Sequence, residues 1–238
     1  MNSSLVRRSP THRATVVGAT QLTARMRRVT VRADAMVDAV LRPAQDVELL
    51  LREPSGRRVK RRYTIRHARP HIGELDLDVL LHGDAPGSRW GADARAGDEV
   101  EFQGPRGKLE LRPAPWHLLI GDESALPAIA AISESLPDAE RAVAVLEVHD
   151  AADELPVRAD VRWVHRRGEP AGSADLLAAA LADLEIVPDA RAYLMGESRA
   201  MVTLRAALEA RGVEHDAVFV KGYWNIGRPD RLANRPPA

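Results

Sequence analysis

The chain has 238 residues, 45% of them hydrophobic, with 34 basic and 34 acidic side chains and a formal net charge of zero. That length suits one large or two ordinary domains, and the neutral balance argues against a nucleic-acid partner held by overall charge. The absence of cysteine excludes disulfides, thiolate metal sites, a cysteine nucleophile and an iron–sulfur cluster held by this chain. Residues 1–12 read as a flexible arm. The stretch from Met1 to Ser9 lacks the apolar core of a signal peptide, and no apolar run is long enough to span a bilayer. A cytoplasmic protein without membrane insertion is expected.

Six short strands are predicted next, over Arg13–Val17, Met26–Arg32, Val47–Leu51, Val59–Arg66, Leu75–Leu81 and Glu99–Gln103. The fifth shows the period-2 pattern well, with Leu75, Leu77, Val79 and Leu81 alternating against Asp76, Asp78 and other residues. Six strands in about a hundred residues, separated by Gly, Pro and charged clusters, predict a closed antiparallel barrel. One helix is expected in this half, after Gly87-Ser88, with Ser88 as N-cap and free backbone N–H groups that favour an anion.

The fourth strand carries the most basic part of the chain. From Arg52 to Arg69 there are eight Lys and Arg residues and one acid, Glu53. Within it, Arg61-Arg62-Tyr63-Thr64-Ile65-Arg66 offers a flat aromatic face, a hydroxyl and guanidinium forks. That set suits a flavin dinucleotide, with the ring on Tyr63, its edge at Thr64 and its phosphates on Arg61. The competing reading is an edge strand protected by charge.

Near Pro113-Ala114-Pro115 the pattern changes. Strands over Trp116–Gly121, Arg141–Val148, Val161–His165, Ala192–Met195 and Ala217–Val220 alternate with helices over Ser124–Leu136, Ala174–Leu184 and Ser198–Arg211. Such alternation predicts a parallel sheet covered on both faces, with ligands outside the carboxyl ends of its strands. Two strands end at that edge in Gly121-Asp122-Glu123-Ser124 and Met195-Gly196-Glu197-Ser198. The eight histidines make no metal-ligand pair backed by a carboxylate, and neither a Gly-x-Ser-x-Gly elbow nor a Gly-x-Gly-x-x-Gly loop is present.

Four stretches together resemble the siderophore-interacting protein family, flavoprotein ferric-siderophore reductases of the ferredoxin-reductase-like superfamily. They are Arg61–Arg66; His82 to Trp90, leading to Gly97-Asp98 and to Gly104-Pro105-Arg106-Gly107; Gly121 to Ile129; and Gly222-Tyr223-Trp224 with Gly227. Their order matches the family and spans nearly the whole chain. Three departures stand out. Ser124 replaces a threonine, Pro86-Gly87-Ser88 stands where Gly-Pro-Ala-Ser is usual, and Asn225-Ile226 replaces arginines, which removes charge at the substrate mouth.

The resemblance implies an FAD-binding barrel over residues 10–114 and a smaller NAD(P)H-binding α/β domain over 115–238 with a C-terminal siderophore-interacting tail. Tyr63 is then expected along the isoalloxazine, Thr64 near its N5 and Arg61 at the pyrophosphate, with Ile65 between them and Arg66. Arg66 reaches a phosphate or is a solvated strand charge. His82 contacts the ribityl or phosphate region or is a satisfied strand-end histidine. Gly87 and Ser88 add flavin contacts, and Trp90 packs the short helix. Asp122, Glu123, Ser124 and Glu197 face a nicotinamide dinucleotide or cap helices. Trp224 covers the flavin or its adenine, or is a core tryptophan. Lys60 and Lys221 line a cationic opening for an anionic iron chelate, or are solvated.

The activity implied is NADPH- or NADH-dependent reduction of a ferric siderophore, with release of ferrous iron in the cytoplasm by a monomer. A free-standing flavin reductase serving an oxygenase, and a siderophore binder without turnover, are the alternatives. The second has no use for two dinucleotide signatures.

Overall fold

The computed structural model describes residues 10–53, 55–187 and 189–227. Most of the expected N-terminal arm, and the end of the expected C-terminal tail, lie outside the described residues.

The first half is a closed barrel of six antiparallel strands in the order β1-β2-β5-β4-β3-β6. These are β1 (Thr11–Gln21), β2 (Met26–Arg32), β3 (Asp46–Arg52), β4 (Arg58–Arg69), β5 (Glu74–Leu80) and β6 (Glu99–Arg106). The pleat sends alternate residues to opposite faces. Val29, Val31, Leu49, Leu75, Leu77, Val79 and Phe102 therefore fill the interior. On the outer face of β5, Glu74, Asp76 and Asp78 are also buried, because arginines lie over them. Arg28 pairs with Asp78, Arg32 and Arg69 with Glu74, and Arg69 with Asp76.

β4 pairs with β3 along Arg58–Thr64 and with β5 only from Ile65 to Arg69, so Arg61–Thr64 of the basic motif have a strand partner on one side alone. Several strands are longer than expected; in the barrel β6 runs on to Arg106 and β1 to Gln21. β1 begins at Thr11 inside the expected arm, and β4 runs on to Arg69. Single 3-10 turns at Asp34–Met36 and Pro70–Ile72 were not expected. Both are too short to carry a helical period.

The short helix is α1 (Pro86–Asp93). Its N-cap is Ala85 and not Ser88, because Pro86 takes the first helical position, where its missing N–H is not needed. Ser88 lies one turn in and is buried. Its Oγ accepts from the His82 backbone N–H at 2.7 Å.

The second half is a five-stranded parallel sheet in the order β11-β10-β7-β8-β9. The strands are β7 (Trp116–Asp122), β8 (Arg141–Val148), β9 (Asp160–His165), β10 (Arg191–Glu197) and β11 (Val218–Trp224). Helix α2 (Leu126–Ser135) covers one face, through Ile129 and Ile132. Helices α3 (Asp175–Ala182) and α4 (Ser198–Glu209) cover the other, through Leu177, Leu181, Leu204 and Leu208. Burial on both faces explains why β7 is apolar apart from His117 and the terminal Asp122. Strand order reverses between β7 and β10, so the crevice of this sheet opens where those two strands end.

Barrel and sheet meet along a seam in which α2 packs on β4. Arg66 of β4 makes a two-pronged ion pair with Glu134 of α2. Lys221 of β11 reaches Asp46 of β3 at 2.9 Å, and Thr23 donates to Asp153 at 3.1 Å.

Candidate functional site

The site lies where β4, the start of α1 and the carboxyl edge of the sheet converge. In β4, Tyr63 is partly buried against the barrel core and tilts onto Trp90 of α1, with ring centroids 5.8 Å apart. Gly87 then sits directly on the tyrosine. A Cβ built there would lie 2.1 Å from Tyr63 Oη and 3.3 Å from Arg61 Cγ. Only a residue without a side chain lets the helix start approach this closely. Burial drives the Tyr63 phenol well above its ordinary pKa, so it stays protonated.

This approach tests the fit of a flavin dinucleotide. The helix's own bonding begins with Arg89 N–H donating to the Ala85 carbonyl, which leaves the N–H groups of Gly87 and Ser88 as first-turn donors. They stand beside the Arg61 side chain. Backbone donors at a helix start next to a guanidinium suit a pyrophosphate, and the neighbouring tyrosine face suits a fused aromatic ring. An open cleft of about 460 Å³ adjoins them, lined by Leu81, His82, Gly83, Ser88 and Arg89 among others. The residues fit the group.

His82 is exposed at the mouth of that cleft. Its pKa is lowered, by desolvation first and then by the Arg25 and Arg61 charges. Arg25, which belongs to no motif, joins the site from the β1–β2 turn. Its Nε is buried without a hydrogen bond, 3.6 Å from Glu123 Oε1.

Thr64 is 6% exposed. Its hydroxyl faces Tyr223 Oη of β11 at 3.4 Å. That distance is long for a bond between hydroxyls, so neither group is committed to the other. The Tyr223 phenol, also near Met195 Sδ at 3.7 Å, is pushed up to about 12 by burial. Tyr223 is the second contributor missed by sequence reasoning. Its only signal was its place beside Trp224 in the C-terminal motif.

At the sheet's crevice, Asp122 is 5% exposed and accepts four hydrogen bonds. Oδ1 takes the Ser124 N–H and hydroxyl; Oδ2 takes the Glu197 N–H at 2.9 Å and the Trp224 indole N–H at 2.8 Å. Burial raises the Asp122 pKa against these bonds. Glu197 caps α4 by accepting from the Arg199 and Ala200 N–H groups, so its capping role is realised. Glu123 turns away from the crevice to Arg166, which it holds at 2.9 Å, and to the His149 N–H. Arg166 also meets Glu147 at 3.2 Å, a buried carboxyl whose pKa desolvation raises. Trp224 is not a core tryptophan. It is partly buried and lies across the strand ends.

Three expected site residues are engaged elsewhere. Arg66 is neither solvated nor at the cradle but buried in its pair with Glu134. Lys60 is 2.7 Å from Glu48, and Lys221 binds Asp46 with its ammonium 4.9 Å from the Tyr223 ring centre. Both ammonium groups are paired.

A closed antiparallel barrel with a cradle of first-turn donors beside Arg61 and Tyr63, followed by a parallel sheet, defines a flavin-reductase-like protein of two parts. The family model for the siderophore-interacting protein matches residues 114–227, and that for the siderophore-interacting FAD-binding domain matches residues 51–109. The ferric vibriobactin reductase ViuB of Vibrio cholerae is 32% identical over 185 residues, covering 74% of this chain and 68% of the relative. A siderophore utilization protein from T. fusca superposes with a TM-score of 0.84 at 30% identity, covering 92% of this chain and 94% of that one. SipS, a siderophore-interacting protein from Aeromonas hydrophila, gives 0.77 at 25% identity, covering 91% and 99%. The chain belongs to the siderophore-interacting protein family.

Proposed function

We propose that this chain is a cytoplasmic, monomeric FAD flavoprotein that uses NADPH or NADH to reduce ferric siderophores and so releases ferrous iron. In this reading residues 10–114 are the FAD-binding domain and 115–238 the NAD(P)H-binding domain. The observation that carries it is the meeting of Thr64 and Tyr223 at 3.4 Å, which brings the barrel's motif to the sheet's carboxyl edge. The similarity to a ferric vibriobactin reductase supports the choice of substrate class.

Arg61 and the N–H groups of Gly87 and Ser88 hold the pyrophosphate of FAD, with His82 at its edge. Tyr63 lies along the ring and Thr64 donates near N5. When bound, FAD supplies the conversion between two-electron chemistry at a nicotinamide and one-electron reduction of ferric iron. Hard oxygen ligands hold ferrous iron less tightly than ferric, so reduction frees the metal. The chain provides position and charge, and no protein acid or base is required. Lys60 and Lys221 reach an anionic chelate only in competition with Glu48 and Asp46.

Purified protein is expected to show flavin absorbance. Under anaerobic conditions, NADPH or NADH with a ferric siderophore and a ferrous trap is expected to give the coloured ferrous complex. Reduction of free flavin with chelated iron left untouched would assign the chain to flavin supply instead.

A further inference from the structure

The cleft beside helix α1 is lined by two acids, Asp84 and Asp93, and one base, Arg89. That balance repels an anion, so the charge that attracts a pyrophosphate has to come from the rim. Two cations bear on it. After desolvation, the charges of Arg25 and Arg61 are what lower the His82 pKa, with Glu123 opposing them. We propose that Arg25 selects FAD over FMN by holding the adenosine-side phosphate of the dinucleotide. The inference rests on the flavin reading above and adds to it a positioning residue that lies in none of the motifs.

The backbone fixes Arg25 against the wall of the cleft. Its carbonyl accepts the Leu81 N–H at 2.7 Å, while the next N–H in the chain, that of His82, goes to Ser88 Oγ at 2.7 Å. Two successive peptide groups therefore tie the β1–β2 turn and the start of α1 to the same two residues. The turn itself is pinned, because Thr23 Oγ1 accepts from the Arg25 and Met26 N–H groups at 3.2 and 3.1 Å and donates to Asp153. Arg61 and Tyr63 share Gly87 as a neighbour, which places Arg61 at the phosphate next to the flavin ring. Arg25 reaches the rim from the His82 side instead.

The guanidinium is charged, accessible and weakly engaged. Its Nε is buried with no hydrogen bond, and the 3.6 Å to Glu123 Oε1 is too long to supply one. Glu123 does not need it. Oε1 accepts the His149 N–H at 2.7 Å and Oε2 accepts from Arg166 at 2.9 Å. The Arg25 side chain is 33% exposed, against 7% for Glu123, so a ligand in the cleft can meet it. A planar fork whose donors lack acceptors suits a phosphate, and hydrogen bonds between two charged groups are the strong ones.

The test loads the full chain with FAD, or with FMN, which lacks the adenosine-side phosphate. Serial dilution then releases flavin, read by its fluorescence. Arg25→Gln is expected to weaken FAD retention on the order of tenfold and to leave FMN retention unchanged. Thermal unfolding gives a second reading: FAD is expected to raise the midpoint of the unsubstituted chain more than that of Arg25→Gln, and FMN to act on both alike. Equal FAD retention by the two proteins, or the same loss for FAD and FMN, overturns the role of Arg25 and leaves the flavin reading standing. Failure of the unsubstituted chain to retain either flavin overturns both.

Discussion

A methyl group at position 87 has nowhere to go. The tyrosine it meets is braced by Trp90, so the clash falls on a ring with little freedom to retreat. Gly87→Ala is expected to destabilise the protein by about 1–3 kcal/mol, the usual range for an overpacked site, and to lower the flavin retained on purification. The clash is with one atom, Tyr63 Oη at 2.1 Å; the next contacts are at 3.3 and 3.4 Å. Adding Tyr63→Phe to Gly87→Ala is therefore expected to recover most of the loss in a urea unfolding series. Equal destabilisation in the single and double variants would show that the helix start is displaced for another reason. This proximity was not legible in the sequence, where residues 63 and 87 look like separate motifs.

Among the elements, helix α4 at the sheet's crevice and helix α1 at the barrel's cleft begin differently. Helix α4 is capped by a side chain: Glu197 Oε2 accepts from Arg199 and Ala200. Helix α1 has no side-chain cap, since Ala85 supplies none and Ser88 is turned to His82. Free first-turn donors are what an anion site needs, and a capped helix offers fewer of them. Glu197→Ala is expected to lower stability by about 1–2 kcal/mol from the lost cap, measured by thermal unfolding. Because Glu197 Oε1 also accepts from the Ile226 N–H, the same variant is expected to raise protease sensitivity after Trp224. Unchanged stability would mean that water replaces the carboxylate at the helix start.

For the whole molecule, the seam decides whether the two halves work as one unit. Arg66 is buried while Glu134 is about half-exposed, with side-chain exposures of 8% and 40%, so the two partners are not equivalent. Removing the carboxylate strands a buried guanidinium; removing the arginine frees a glutamate that water can solvate. Glu134→Ala is expected to be more destabilising than Arg66→Met. The hydrogen bond from Arg66 holds the Glu134 pKa below its ordinary value of 4.5. A carboxyl with a depressed folded-state pKa stabilises the fold above the unfolded value, and that contribution is lost as pH falls through the folded value. The stability difference between the natural chain and Glu134→Gln is thus expected to be largest near neutrality and to shrink below about pH 4.5. A pH-independent difference in urea titrations would mean that the pair is not formed in solution.

Local pattern was enough to read both halves of the fold. The alternation around Leu75–Leu81 and the apolar run Trp116–Gly121 each reflect how many faces of a strand are buried, which nearest neighbours in sequence already record. The elements 26–32 and 141–148 emerged with the expected bounds. The barrel motif and the glycines at the two strand ends were visible for the same reason. Contacts between distant residues were not. Asp122 and Trp224 are 102 positions apart, and they meet because strand order puts β7 beside β10 and the ladder skips one residue at Tyr223. The pairing of Lys221 with Asp46 and the burial of Arg66 likewise depend on how barrel and sheet are set against each other. A charge in a sequence carries no mark of whether its partner lies across a seam, because that geometry arises only when the whole chain has packed.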